Sequence, residues 1–122
     1  MCRPIPATAT RGRAAQIVLP AVRGTLGAAE RVILHFDDAA ELLADLSGDQ
    51  LAGVAARGMA TPEHILRAGP LPLWIDLDLE AAPERMASDL GSQLTRHRNE
   101  YEAYHARHAP AGERPLADWA KV

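Results

Sequence analysis

The sequence has few of the residues that form disulfides, metal centres or a large aromatic core. Among its 122 residues are one cysteine, one phenylalanine, two tryptophans and two tyrosines. The single cysteine, Cys2, excludes an intrachain disulfide and a zinc site built from several cysteines. The core must therefore consist mainly of alanine, leucine, valine and isoleucine. Because alanine buries little area, we expect modest stability without a partner surface.

Two further absences narrow the classes of function. The 13 basic residues are interspersed with 16 acidic ones, so no basic patch can follow a nucleic-acid backbone. The longest apolar runs, such as residues 17–19 and 32–34, are too short to cross a bilayer, and no secretory signal is visible. We expect a cytoplasmic protein that binds neither nucleic acid nor membrane.

The chain divides into three parts by composition. Residues 1–12, with prolines and small polar residues, are predicted to form a disordered lead-in. Residues 13–108 carry regular apolar patterns and are predicted to form a single α/β segment. Residues 109–122 form a tail without a regular element of its own.

Helices are predicted on both sides of the chain's centre. Apolar spacing predicts a helix from Arg13 to Leu26 that is either kinked or divided at Pro20. Short helices are predicted after the aspartates at 37–38, over 50–57 and after the capping residue Thr61. The longest helix is predicted to begin with a proline, and one of its faces carries the residues Met86, Leu90, Leu94, His97, Tyr101, Tyr104 and His108.

Two short apolar segments have the pattern of strands. Residues 31–36 are predicted to form a buried strand, with His35 as a hydrogen-bonded core histidine. Residues 72–79 alternate between apolar and polar side chains. The resulting order is helix, strand, helix, helix, strand, long helix, which predicts a parallel pair with a crossover. Because two strands make a thin sheet, we expect it to be incomplete alone.

Most signatures of catalysis are missing from the sequence. It contains neither a glycine-rich phosphate loop nor a nucleophile elbow. His105 and His108 have a spacing that suits a shared metal on a helix face, but a third ligand is lacking. The polar end of an amphipathic helix is therefore the favoured interpretation of these two histidines.

Four aspartates offer a second metal hypothesis. They follow or lie within the predicted strands, at the ends where α/β folds place ligands and where a divalent cation would find oxygen ligands. The stronger interpretation is a solvated strand face, because the second pair alternates with apolar residues. A small metal-dependent enzyme is thus the weakest hypothesis of function, and it would use these histidines or the aspartates Asp37, Asp38, Asp76 and Asp78.

One segment resembles a known bacterial family. Residues 57–67 (RGMATPEHILR), followed by Pro-Leu-Pro-Leu at 70–73, resemble the family pattern RGxxTPDHVIRTKxxPL. The family joins a class II (adducin-type) aldolase to a short-chain dehydrogenase, as in rhamnulose-1-phosphate aldolase/lactaldehyde dehydrogenase. The segments 34–38, 101–104 and 118–122 agree in the same order. The resemblance covers roughly residues 12–122.

The resemblance implies a zinc-dependent aldolase half and an NAD-dependent dehydrogenase half. In that family, zinc polarises the ketose-phosphate carbonyl, and NAD oxidises the aldehyde product. The zinc-binding histidines are expected upstream of Met1, and the dinucleotide loop with its Tyr-x-x-x-Lys pair is expected downstream of Val122. The tail 109–122 would then lead towards the dehydrogenase half. This chain is expected to contain no complete active site, no catalytic residue and no cofactor of its own.

Only His64 and Arg67 are carried over from the resemblance, as possible substrate-binding residues. They are three residues apart, on one face of a predicted short helix. The favoured alternative is that His64 caps or packs locally while Arg67 forms an ion pair. The chain also departs from the family at Ala68 and Gly69, where the pattern has Thr-Lys, so any anion contact of that lysine is lost.

The sequence therefore supports two main hypotheses of function. The first is a connecting segment of a bifunctional sugar-metabolising enzyme, with the flanking aldolase and dehydrogenase domains or a second copy as partners. This hypothesis predicts exposed apolar surface where those parts dock. The alternative is an independent binding or dimerisation module without enzymatic activity, which predicts a cooperative fold of its own.

Overall fold

Helices dominate the structure. The computed structural model describes residues 4–28 and 31–115. Within these residues the secondary structure consists of five helices: α1 (Thr8–Leu26), α2 (Ala40–Leu46), α3 (Leu51–Ala55), α4 (Pro62–Ala68) and α5 (Pro83–His108).

Helix α1 is continuous through its proline. It begins at Thr8, within the predicted lead-in, and continues past Pro20 without dividing. Pro20 lacks the N–H that would bond the carbonyl four residues earlier, but the surrounding turns remain helical. The helix buries Ala14 and Val22 and ends at Gly27, whose N–H donates to the Arg23 carbonyl at 2.8 Å.

Helix α5 has the predicted start and supplies most of the core. It begins at Pro83, a residue whose fixed φ suits the first helical position. Glu84 lies in its first turn and basic residues lie in its last, so both ends complement the helix dipole. The first four residues of the predicted stripe are buried, which confirms the periodicity: Met86, Leu90, Leu94 and His97.

The start of α4 also follows its sequence. Thr61 is the N-cap, and its hydroxyl accepts the His64 N–H at 3.3 Å. Pro62 occupies the first helical position and Glu63 the first turn, as predicted. The helix ends at Gly69, where φ is 78°, a left-handed value that favours glycine.

The predicted α/β fold with a parallel sheet is wrong. Residues 31–36 and 72–79 form no helix, and the described parts of the chain contain neither a strand nor a bridge. Apolar alternation favours extended backbone, whereas a sheet also requires an adjacent strand to accept its hydrogen bonds. In the described part of the chain, residues 72–79 lie beside helices α1 and α5 and not beside a second strand.

The non-helical segment 71–79 packs along the two long helices. Leu73 belongs to the buried cluster with Val22, Leu90 and Leu94, one residue from α1 and two from α5. The predicted alternation within the segment holds, because the odd-numbered apolar residues face inwards while Asp76 and Asp78 are exposed. The partly buried residues packed against this cluster are Val18, Ala21, Leu26, Leu34, Ile75 and Leu77.

Side chains supply the hydrogen bonds that a neighbouring strand would have provided. The Gln93 amide bonds both backbone groups of Asp76: Oε1 accepts its N–H at 2.9 Å, and Nε2 donates to its carbonyl at 2.7 Å. The Arg13 guanidinium of α1 donates to the carbonyls of Leu79 at 2.7 Å and Ala81 at 2.8 Å. Three of these bonds hold the segment against both long helices, and the fourth holds Ala81, two residues beyond its end.

Residues 31–36 are much less buried than predicted. Only Val32 and Leu34 are partly buried, and Ile33 is 97% exposed. His35 is also exposed, so the prediction of a core histidine is wrong. The hydrophobic run predicts a strand covered on both faces, but Ile33, Phe36 and His35 remain exposed.

No helix in residues 4–28 and 31–115 combines the length and apolar character needed to cross a membrane.

Candidate functional site

The family-like motif forms a compact turn closed by a glycine. Gly58 has φ of 86°, and a Cβ placed on it would lie 2.8 Å from the Pro70 carbonyl oxygen. The next residue, Met59, donates its N–H to that same carbonyl at 3.3 Å. Both the backbone angle and the close approach therefore require glycine here. The turn brings the two ends of the motif together across α4.

This motif turn and the last turns of α5 enclose a cleft of about 480 Å³. Its volume lies in the range of small-molecule sites. One wall comes from residues 57–71 and the other from the polar end of the α5 stripe. The lining residues are Arg57, Gly58, Met59, Ile65, Pro70, Leu71, His97, Glu100, Tyr101, Ala103, Tyr104 and Arg107.

A second cleft, of about 440 Å³, shares three of these residues. Leu71, His97 and Glu100 line both cavities. The second cleft is otherwise bounded by the alanines of α3 and by Trp74 and Arg96. The motif turn therefore covers α5 incompletely, and His97 faces both openings.

His97 is the most buried polar side chain in the described residues. It is 8% exposed, and this burial lowers its pKa below the ordinary value of 6.5, because the imidazolium loses hydration. The nearby Glu100 carboxylate acts in the opposite direction, since its charge favours the protonated ring. Burial has the larger effect on the pKa of His97, so the imidazole is mainly neutral near pH 7.

The aromatic rings of α5 lie against histidines one turn further along. The ring centroids of Tyr104 and His108 are 4.6 Å apart, and those of Tyr101 and His105 are 6.4 Å apart. Both tyrosines are half-buried and line the cleft. No group of three or more His, Cys, Asp or Glu side chains in the described residues is placed to hold a metal ion. The described residues therefore do not fit the zinc that the family implies.

The two predicted substrate-binding residues remain untested predictions. His64 is exposed, and its Nδ1 lies 2.7 Å from the Thr61 hydroxyl, so the ring takes part in the local cap. It is not among the residues that line the cleft, although its neighbour Ile65 is. The side chain of Arg67 lies outside the described residues. The same holds for the segment 118–122.

Several cleft residues were not singled out from the sequence as candidates for function. Arg57 belongs to the family-like motif without a role that the pattern assigns, and no pattern in the sequence points to Arg107. A usable signal existed in the α5 stripe, which changes from aliphatic side chains to His97, Tyr101 and Tyr104. Such a change on one helix face indicates that the face leaves the core and meets a partly polar surface.

Comparison with known proteins defines the class to which this helical domain belongs. The family model described as "Aldolase class II, second domain" matches residues 13–121. The chain therefore belongs to this family of second domains.

One relative from Bacillus subtilis (strain 168) is described as the uncharacterized oxidoreductase YuxG. It is 28% identical to the chain over 97 residues, which are 79% of this chain and 14% of the relative. The chain thus spans a small part of the length of that protein. No solved structure matches the chain significantly.

Proposed function

We propose that this domain connects the catalytic halves of a bifunctional enzyme of the rhamnulose-1-phosphate aldolase/lactaldehyde dehydrogenase type. The main support is the family match over residues 13–121. A second support is the relative named as an oxidoreductase, because the region that matches this chain is only 14% of that protein's length. In YuxG, then, such a segment accompanies much additional sequence. Sugar metabolism, a dehydrogenase partner and a cytoplasmic location are parts of this proposal.

Exposed apolar side chains support a role in docking. Several large hydrophobic residues between α1 and α4 are exposed to solvent. Some of them lie between α1 and α2, and the others belong to α2 or α3. Neither of these helices has a fully buried residue. We call this set the exposed apolar segment: Ile33, Phe36, Leu42, Leu46 and Val54. Contact with a flanking domain would remove this surface from water.

The proposed role is structural, and it rests on the elements that this chain can present to neighbouring domains. When present in a family member, zinc would polarise a carbonyl in the aldolase half. This chain contributes the motif turn, the α1–α5 pair and the exposed apolar segment. His64 and Arg67 belong to the proposal as candidate contacts to substrate from a neighbouring half.

The test is the size and genetic context of the native product. Antibodies against this chain should detect a product much larger than 13.1 kDa, or a 13.1 kDa chain that co-purifies with separately encoded aldolase and dehydrogenase subunits. Sequencing of the flanking DNA should show zinc-binding histidine motifs upstream and a dinucleotide-binding frame downstream. A lone 13.1 kDa product without these neighbours would contradict the proposal.

The alternative is an independent binding module. The cleft of about 480 Å³ favours binding, but the α5 stripe is a poor dimerisation surface, because its first four residues are already buried within the chain. Equilibrium sedimentation distinguishes a monomeric binding module from a dimerisation module. We expect a monomer, because a dimer formed through the α5 stripe would require the core around Leu90 and Leu94 to open.

A further inference from the structure

Two arginines of the cleft have no partner within the described structure. Arg57 comes from the motif turn and Arg107 from the end of α5, and both side chains are exposed at the rim of the same cleft. Within residues 4–28 and 31–115, neither guanidinium makes a hydrogen bond or an ion pair. Other arginines differ, since Arg85 pairs with Asp89 and Arg98 with Glu102 on the surface of α5.

The charge in the cleft favours an anion. Arg57 and Arg107 share the lining of the cleft with a single carboxylate, that of Glu100, and the buried imidazole of His97 adds a polar group that is mainly neutral near pH 7. Guanidinium groups bind carboxylates and phosphates through paired, charge-assisted hydrogen bonds. Because this pairing is not satisfied from within the described chain, an oxyanion is the complementary ligand.

The remaining walls favour an apolar body attached to that anion. Met59, Ile65 and Leu71 supply aliphatic surface, and Tyr101 and Tyr104 supply aromatic surface with hydroxyl groups. Sites for small organic molecules commonly combine a mainly apolar lining with a few polar groups that fix orientation. The volume of about 480 Å³ suits a small molecule and not a folded segment of protein.

We propose that the cleft between the motif turn and α5 binds a small organic oxyanion, either a carboxylate or a phosphate ester, through Arg57 and Arg107. This inference goes beyond the connecting role, because it concerns a ligand of this domain itself. It stands whether or not the domain joins two catalytic halves.

The experiment follows amide shifts in the complete 122-residue chain. Benzoate, phenyl phosphate and the neutral analogue benzyl alcohol are titrated separately. At least one anion should cause saturable shifts at the amides of Gly58, Met59 and Ala103, with clearly weaker binding of benzyl alcohol. The ratio of the affinities for benzoate and phenyl phosphate identifies the preferred oxyanion.

Three variants make the result specific. Arg57→Gln and Arg107→Gln should each weaken binding of the preferred anion by roughly tenfold, because a charge-assisted contact is lost. Arg85→Gln, on the same helix but outside the cleft, should bind as the original chain does. Arg107 lies on the exposed side of a long helix, so its variant remains informative if Arg57→Gln unfolds the motif turn.

The proposal is overturned by any of three results. These are shifts that do not saturate or lie elsewhere, equal affinity for benzyl alcohol and the anions, and unchanged affinity in the Arg107→Gln variant. None of these outcomes bears on the native size of the product, so the two proposals fail independently.

Discussion

At the scale of single residues, Gly58 determines the shape of the motif turn. Its φ of 86° is unfavourable for residues with a side chain, and the Pro70 carbonyl occupies the space of a Cβ. This gives the glycine of the family-like motif a conformational reason. It also makes the geometry of the cleft dependent on one residue that does not itself supply a functional group.

We predict that Gly58→Ala lowers the free energy of unfolding by about 1–3 kcal/mol, through backbone strain and the contact with Pro70. The matched control is Gly91→Ala. Gly91 lies within α5, and a Cβ there meets no atom within 4 Å. That substitution should stabilise the chain by about 0.5–1 kcal/mol. Urea unfolding of both variants checks the prediction, and equal effects would contradict it.

His97 makes stability depend on pH. Because burial holds its pKa in the folded chain below 6.5, the unfolded chain binds the proton more tightly. Stability from His97 is therefore present above about pH 6.5 and decreases as the pH falls through the lower pKa of the folded state. Unfolding by urea should occur at lower concentrations at pH 5 than at pH 7.5.

The variant His97→Gln should reduce that pH dependence, because it removes the group that titrates differently in the two states. His108→Gln is the control, since His108 is exposed on the same helix. The comparison uses the difference in unfolding free energy between the two pH values for each variant. An unchanged difference in His97→Gln would assign the effect to other groups.

At the scale of elements, the non-helical segment 71–79 shows how a sequence with the pattern of a strand is used without a sheet. Its inward side chains join the cluster around Leu90, and its backbone is bonded by Gln93 and Arg13. Because Gln93 both donates and accepts, its amide imitates a neighbouring strand at one residue. The segment thereby links α1 to α5 and positions the motif turn that precedes it.

We predict that Gln93→Ala destabilises the chain by about 1–2 kcal/mol, since two hydrogen bonds to the backbone of Asp76 are lost. Gln93→Glu keeps an acceptor for the Asp76 N–H but cannot donate to its carbonyl when ionised. Ser92→Ala, at the adjacent exposed position, should change stability by less than about 0.5 kcal/mol. Hydrogen exchange at the Asp76 amide should accelerate in Gln93→Ala more than in Gln93→Glu, and equal exchange rates would contradict this assignment.

At the scale of the whole molecule, the buried residues come from the two ends of the described chain, and the middle of the chain is mainly exposed. Helices α1 and α5 pack against each other and against the non-helical segment 71–79, whereas α2 and α3 have no buried residue. A chain of this size gains stability mainly from its apolar area removed from water. Contact of the exposed apolar segment with another surface would therefore bury apolar area and stabilise the chain.

We predict that the double substitution Phe36→Ser with Leu42→Ser changes the unfolding free energy of the isolated chain by less than about 1 kcal/mol, because both residues are already exposed. In the full-length native product, the same substitutions should lower the melting temperature of the assembled enzyme. Ile5→Ser, also at an exposed residue but outside the exposed apolar segment, is the control. Equal melting temperatures of the assembled variants would argue against docking through this segment.

The sequence by itself determined the presence of the helices and several of their ends, although α1 begins at Thr8, earlier than the apolar spacing predicts. The ends of α4 were predictable because they depend on the local backbone geometry of Thr61, Pro62 and Gly69. The buried stripe of α5 was predictable because the helical repeat alone places its residues on one face. The resemblance carried by residues 57–67 led to the correct aldolase-related family. These features depend on neighbours within a few residues.

Only the tertiary structure decided how the two segments with a strand pattern are used and where the cleft lies. Whether residues 72–79 join a sheet depends on what lies beside them, and Gln93 and Arg13 fill those places from distant positions. His35 has an apolar sequence environment but an exposed position, because no described element covers it. Arg57 and Arg107 meet at one cleft through the packing of the motif turn on α5, a contact between distant parts of the chain that local patterns do not encode.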